Sequence, residues 1–416
     1  MDPLAAAAEP PLSLKTRLRR SERARQWRAL ALILPLLLFL IVTFVVPIGS
    51  MLWRSVEDRE VGPVLPQTIA ALQHWDGTAA PDDAAFAALA RDLTAARAAG
   101  TVLSAAKRLN YAISGFRTVL LGTTRHLPLA PDAGPVRDAL IAIDPHWGDP
   151  AFWAAIKQAA GPLSDFYLLA AVDRHHTPTG AIVRVPANTA IYLDVLGRTF
   201  AISLAVTLSC LVLGFPVAYL LATQPARRAN LLMIMVLLPF WTSLLARTAA
   251  WIVLLQREGL VNQLLLALGL IDQPLQLVYN RVGVLVAMTH VLLPFMILPL
   301  YSVMKGIPPS LMRAATSLGA PPAVAFVRIY LPQTLPGLAA GGLLVFILAL
   351  GYYITPALIG GASDQMISYF IAFYTTDTVN WGMASALGAV LLTATLILAA
   401  VYGWLMRDGK AVGLKP

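Results

Sequence analysis

Charge is what this 416-residue chain has least of: Asp, Glu, Lys and Arg make up 13% of it, about half the share of an average soluble protein. Hydrophobic residues make up 58%, and the mean hydropathy is +0.69. One water-soluble core could not hide that much apolar surface, so the composition points to a membrane protein. Cysteine is nearly absent as well. The single Cys210 falls inside an apolar run, which excludes an intrachain disulfide and reads as a small packing residue.

Other absences narrow the chemistry. No Gly-x-x-x-x-Gly-Lys-Ser/Thr run occurs, so the chain has no recognisable phosphate loop for ATP. There is no Gly-x-Ser-x-Gly elbow, no His-Glu-x-x-His and no Cys/His cluster with metal spacing. His175 and His176 are adjacent and read as a solvated loop pair rather than as metal ligands. Acidic residues are almost missing from the apolar runs, which disfavours an ion-coupled pump built on buried carboxylates. No catalytic residue, cofactor or metal is therefore expected, and any energy must come from a partner.

What is present is a series of spans. Residues 29–48 are uncharged and long enough to cross a hydrocarbon core of ~30 Å as a helix. Their length and the lack of a small-x-small cleavage site favour a retained first span, residues 29–53, over a removed signal peptide. Further spans are expected near 199–222, 231–255, 283–304, 337–359 and 383–406. Lys15 to Arg28 form a basic arm, which directly before a span is a topology signal rather than a nucleic-acid site. Arg227, Arg228, Lys305, Arg313 and Arg328 lie in alternate short loops, and Arg407, Lys410 and Lys415 lie in or beside the C-terminal tail. By the positive-inside rule both tails, 1–28 and 409–416, are cytoplasmic.

Residues 54–192 interrupt this series. They are too polar to cross a bilayer and too long for a plain loop. Ala-rich stretches at 84–109, 135–143, 150–160 and 163–173 predict an extracytoplasmic helical insertion. Trp75, Trp147, Trp153, Phe166 and Tyr167 would furnish its core.

The segment 310–337, SLMRAATSLGAPPAVAFVRIYLPQTLPG, reads as two short helices hinged at Gly319. Ser310 is placed as the cap of the first, with Leu311, Ala315 and Leu318 on one face and Arg313, Thr316 and Ser317 on the other. Pro332 and Pro336 are expected to stop the second before the next span. A compact helix pair between two spans is a docking surface for another protein. The segment resembles the loop by which permease subunits of ABC importers engage their ATPase, whose pattern is Glu-Ala-Ala, three residues, Gly, nine residues, Ile-x-Leu-Pro. Ala314, Ala315, Gly319, Ile329, Leu331 and Pro332 match it, and Arg313 stands where the family has Glu. LLARTAAWIVLLQREGLVNQLLLALGL (244–270), LLPFMILPLY (292–301) and PGLAAGGLLVFILALGYYITPALIGG (336–361) are similar to the spermidine/putrescine-type branch.

The resemblance implies an all-α membrane protein of the type I importer kind, with a five-helix core over 193–408 and a coupling loop over 305–336. It implies a bacterial inner-membrane location. It also implies ATPase subunits, a second and different permease and a periplasmic binding protein as partners, with membrane lipid around the spans and no nucleic acid. The cargo it implies is a polyamine or related amino compound, with an amino acid or small organic acid second. An ion-coupled carrier and a membrane-anchored sensor using the insertion as its ligand domain are the rival readings. Pathway candidates follow from residue type. Arg247 is a strong base inside a span, about 24 Å along if the helix were unbroken from Leu231, and would either reach the interface or serve the pathway or a subunit contact. Tyr352, Tyr353, Tyr369, Tyr374 and Trp381 gather near Asp364 and Asp377, offering aromatic faces and carboxylates to a cationic amine or simply belting the interface.

Overall fold

The computed structural model describes residues 31–130 and 134–409, with Arg25, Trp27 and Ala29. Most of the basic arm 1–28, and Lys410 and Lys415 of the C-terminal tail, lie outside the described residues. Among the described residues, those up to Trp53 form one compact unit and those from Arg54 on another. In the first, the chain is helical from Ala31 and exposes Leu, Ile, Val and Phe on every side, the surface of a helix bathed in lipid. One turn, Ile41–Val45, is widened to a π-helix in which the Val46 N–H donates to the Ile41 carbonyl. Pro47 follows one residue beyond it, after Val46. A proline ring clashes with the carbonyl four residues back, and a widened turn moves that carbonyl aside.

The second unit is built mainly of long apolar helices: Tyr192–Thr223, Arg281–Lys305, Pro322–Leu350 and Trp381–Trp404. Ala226–Trp241 and Leu244–Ala267 complete the set as a pair bent by 97°. The chain is an all-α membrane protein, with six spans among the described residues if the bent pair counts as one. The Arg281–Lys305 helix is central, flanked by Tyr192–Thr223 and by the helix ending at Leu350. Met296 lies where both neighbours carry glycine. A Cβ at Gly341 would come within 3.0 Å of its sulfur, and one at Gly214 within 3.2 Å of its Cγ. Small residues let these backbones approach, which is how helices associate where lipid is as apolar as leucine.

Two expectations for the spans need correction. The third span is not continuous over 231–255. Pro239 sits in a 3-10 turn, Leu238–Trp241, after which Thr242 and Ser243 are extended, with ψ of 145° and 140°. The Thr242 hydroxyl donates to the Pro239 carbonyl at 2.9 Å, satisfying part of the backbone that the break exposes. The fifth span, in turn, is not separated from the preceding loop. Helix runs from Pro322 to Leu350 through a π turn, Phe326–Tyr330, with Pro332 just beyond it and Pro336 inside the helix. This repeats the device at Pro47 for Pro332, whose clashing carbonyl lies in the widened turn, while Pro336 is carried within the α-helix itself.

Between the first and second spans the chain folds into helices at Pro66–Ala71, Asp83–Ala99, Val102–Ala112, Phe116–Arg125, Val136–Ile143, Pro150–Gln158 and Phe166–Ala170. The expected helix 84–109 is divided at Gly100, whose φ of +71° suits the left-handed position after a helix end. Phe116–Arg125 was not foreseen. Nor was the hairpin pairing Arg174–His176 with Ile182–Arg184, which takes His175 and His176 out of a loop and onto a strand. His176 Nε2 lies 3.0 Å from the Asp165 carboxylate while His175 is exposed, so the two do not converge. The helices enclose a core with Phe86, Phe116, Trp147, Phe152 and Trp153. The Trp147 indole donates to the Thr123 hydroxyl at 2.8 Å, and that of Trp153 to the Trp147 carbonyl at 2.8 Å.

Three of the contacts that join this segment to the spans are specific. Asp173, buried at φ +54°, accepts from the N–H groups of Ile191, Tyr192 and Leu193 at 3.1, 3.1 and 2.8 Å. It thereby caps the second span, where amide donors lack partners and a negative charge is favoured. The Lys107 ammonium donates to the Val379 carbonyl at 3.0 Å, just before the last span. Tyr167 packs with Ile367, Met383, Ala386 and Leu387, and its ring fills the space that a side chain on Gly382 would need.

Beneath Tyr167 lies a buried ion pair. Arg108 donates to one Asp58 oxygen from Nη2 at 2.6 Å and from Nε at 2.9 Å, and its guanidinium lies 4.0 Å from the centre of the Phe166 ring. Burial pushes the Asp58 carboxyl up, with Arg108 pulling against it. Such a pair adds little over an apolar core, but removing one member leaves an uncompensated charge. Arg108→Met should cost about 3–5 kcal/mol, read as a lower melting temperature of the purified chain in detergent. Gly382→Val should expel Tyr167 at about 1–3 kcal/mol and hasten proteolysis within 54–190; an unchanged cleavage rate would show that Tyr167 does not anchor the segment.

Candidate functional site

The loop over 305–336 begins with a helix at Pro309–Ser317. Pro308 is its cap residue and Pro309 its first turn, where a missing N–H costs nothing, so Ser310 lies inside the helix instead of capping it. The helix ends at Gly319, whose φ is +87°. The Gly319 N–H donates to Thr316 and the Ala320 N–H to Ala315, at 3.0 and 3.1 Å. These two bonds form the motif that satisfies helix-terminal carbonyls by a left-handed residue. The faces differ from those expected: Met312 and Ala315 turn inward, whereas Leu318 is 88% exposed.

Aromatic packing fixes the loop to the spans. Phe326 meets Tyr219 edge-on at 5.6 Å, Phe215 at 6.3 Å and Tyr330 in a stack at 5.5 Å. Phe215 and Tyr219 belong to the second span, so the loop is seated on two spans at once. Outward it presents Leu311, Leu318, Val324 and Val327 with Arg313, Ala314 and Arg328. Ile329 and Leu331 are half-buried and Pro332 is exposed. An apolar group this exposed, rimmed by basic and hydroxyl side chains, has the make-up of a protein contact.

Arg247 lies one turn into the helix Leu244–Leu255, just past the break in the third span. Counting along a continuous helix from Leu231 therefore does not give its position. It lies within electrostatic reach of His290 and Tyr352. The Thr248 and Thr355 hydroxyls are 3.3 Å apart, and the Trp251 indole donates to His290 Nδ1 at 3.1 Å. Thr248, Trp251, His290 and Thr355 escaped the sequence reading. Their only trace there is that each is polar within an apolar run, a pattern that marks functional positions in membranes.

The aromatic and acidic candidates separate on inspection. Tyr353, Tyr369 and Phe373 form a row, with Tyr369 stacked on Phe373 at 6.5 Å. The Tyr374 hydroxyl bonds that of Tyr192 on the second span. Asp364 is buried and held by the Arg281 guanidinium at 3.0 Å, so its charge is already answered. Asp377 is exposed and accepts from the Thr376 hydroxyl at 3.1 Å. Trp381 lies under the Arg54 guanidinium, 5.7 Å from the ring centre. The two acids thus do not form one pocket with the tyrosines.

Residues 202–408 match the family described as binding-protein-dependent transport system inner membrane component. The spermidine/putrescine transport system permease protein PotB of Salmonella typhimurium (strain SL1344) is 35% identical over 212 residues, covering 51% of this chain and 74% of that protein. The inner membrane ABC transporter permease protein YdcU of Escherichia coli (strain K12) is 34% identical over 240 residues, covering 54% and 74%. Among solved structures, a bacterial alginate ABC transporter in complex with an alginate pentasaccharide-bound periplasmic protein aligns at 19% identity and a TM-score of 0.44, covering 55% of this chain and 82% of that one. With apolar spans, a hinged loop between two of them, the family match and the two curated permease relatives, the chain belongs to the inner-membrane permease components of binding-protein-dependent ABC importers.

Proposed function

We propose that this permease lines the translocation pathway of an ATP-driven importer whose cargo is a polyamine or a closely related amino compound. The observation that carries the coupling part of this reading is the 305–336 loop. Its exposed surface sits on a helix closed by Gly319 and is pinned through Phe326 to the second and fifth spans. A push on Leu318 or Arg313 from an ATPase subunit would be passed to both spans as one movement. Ala314, Ala315, Ile329, Leu331 and Pro332 hold the shape of that surface. The cargo class rests on the similarity to the spermidine/putrescine permease.

In this reading both termini and the loop are cytoplasmic, and the segment 54–192 is extracytoplasmic. The cap at Asp173 and the contacts at Val379 and Gly382 then brace the outer ends of the second and last spans. A periplasmic binding protein would act on this brace, and a second, different permease would complete the pathway. Arg247 and Tyr352 are the pathway candidates near the broken third span; Tyr353, Tyr369, Tyr374 and Trp381 flank the outer entrance. Asp364 serves there as an anchor for Arg281, and Asp377 is free to meet solute or receptor. Transport requires that ATP and cargo each favour one of two states of the spans, since equal binding to both shifts nothing.

Gly319→Asp is the direct test of coupling. No atom lies within 4 Å of a Cβ there, so the change is strained only through the left-handed backbone, by about 1–2 kcal/mol. Membrane insertion should persist while ATP-dependent uptake is lost; unaltered uptake and ATPase association would refute the docking role. For cargo, the assembled complex in liposomes should take up labelled spermidine or putrescine only with ATP inside and binding protein outside. Uptake driven by an ion gradient without an ATPase would instead establish a secondary carrier.

A further inference from the structure

The short hairpin of the 54–192 segment sets two arginines against each other. Its rungs are Arg174 opposite Arg184, His175 opposite Val183 and His176 opposite Ile182. Side chains directly across an antiparallel pair share a face, and like charges placed so destabilise it. Neither guanidinium has an ion-pair, hydrogen-bond or ring partner among the described residues. The chain offers no acid close by in sequence, since none occurs from Arg174 to Leu193. The acids around this stretch are engaged. The Asp173 carboxylate is given to the amides of Ile191, Tyr192 and Leu193, Asp165 holds His176, and Asp194 lies within electrostatic reach of Arg198. Two unanswered guanidiniums on one exposed face call for an anion from outside the chain, and a phosphate matches their planar forks.

The place of this rung in the fold indicates where such a phosphate comes from. The turn of the hairpin is packed on the body of the segment. There the Gln158 amide donates to the Thr177 carbonyl at 2.9 Å, and the Pro178 carbonyl lies over Gly77, leaving no room for a side chain. The opposite end, which carries the arginine rung, is tied to the second span. The Val185 N–H donates to the Asp173 carbonyl at 3.0 Å, and the Asp173 side chain caps the span. That helix has 32 residues, a length of about 48 Å, and so overshoots a hydrocarbon core of ~30 Å into the headgroup layer. Ile182, 50% exposed, shares the face of the arginines, and Ile191 and Leu193 are exposed where the span begins. Unpaired bases beside exposed apolar side chains, at the end of a span, suit a surface of anionic lipid. We propose that Arg174 and Arg184 together bind the phosphate headgroup of an anionic phospholipid, in the leaflet that the second span enters. The lipid answers the repulsion across the rung and holds the hairpin on the bilayer surface. This rests on the reading of Tyr192–Thr223 as a span, and on neither the docking loop nor the cargo.

The test titrates the full chain, purified in a neutral detergent, with short-chain phosphatidylglycerol and reads amide hydrogen exchange over residues 174–184. Phosphatidylglycerol should slow exchange there, and phosphatidylcholine of the same chain length should not. Replacing both arginines, Arg174→Gln with Arg184→Gln, should weaken the effect about thirtyfold, from ~1 kcal/mol per base at an anionic surface. The double lysine variant should keep most of it, because the attraction to the surface is carried by charge. The glutamine variant should melt no lower than the wild type, since it removes an opposed pair. Equal protection by both lipids, or undiminished affinity in the glutamine variant, overturns the proposal. So does a lower melting temperature of that variant, which would make the arginines part of the hairpin's own stability. Protection by inorganic phosphate alone would assign the rung to a soluble anion, and protection seen only with an added binding protein would assign it to an acidic protein surface; either overturns it. ATP-driven uptake by the wild type is a separate measurement, so the importer reading stands or falls independently.

Discussion

The spans depend on the close approach of three helices at Met296. The glycines at 214 and 341 leave a space that the methionine fills, and without that recess the second, fourth and fifth spans could not share one core. In lipid there is no hydrophobic gain in hiding leucine against leucine, so contact of this kind must come from fit. The same core continues to Tyr330 and Met312, which is why the 305–336 loop inherits a fixed position from it. A loop that is exposed on one side and part of the span core on the other is suited to pass on a force.

Backbone economy explains the rest of the membrane region. Each break in a helix within hydrocarbon has to find partners for its amides and carbonyls. The two π turns before Pro47 and Pro332 let helices keep their direction despite proline, whereas the 3-10 turn at Pro239 turns the chain by 97°. Three prolines thus have two outcomes, decided by whether the preceding turn widens or tightens.

Much of this was legible in the sequence, because apolar run length and the Ala-Ala, Gly, Ile-x-Leu-Pro spacing are local patterns. The all-α membrane class and the left-handed Gly319 are of that kind. The break at 241–244 was not read, because Thr242 and Ser243 among apolar residues look like ordinary span residues until Pro239 is seen to tighten the turn. Leu318 was assigned inward by helical periodicity, but the helix is short and Met312 takes that role. The pairing of Asp364 with Arg281 spans more than eighty residues of sequence, and so had no local signature. The hairpin at 174–184 and the seat of Tyr167 on Gly382 are likewise tertiary outcomes.

The Asp173 cap gives the segment 54–192 a fixed relation to the second span. Its carboxylate holds the first three amides of the second span, so that span cannot slide along its axis without pulling the hairpin and the Phe166–Ala170 helix with it. A helix with a uniformly apolar sequence has no preferred immersion of its own over several residues. On the proposed reading, in which this segment lies in water, it would work as a float, setting how far into the membrane the second span is lowered and hence the level at which its partners meet it.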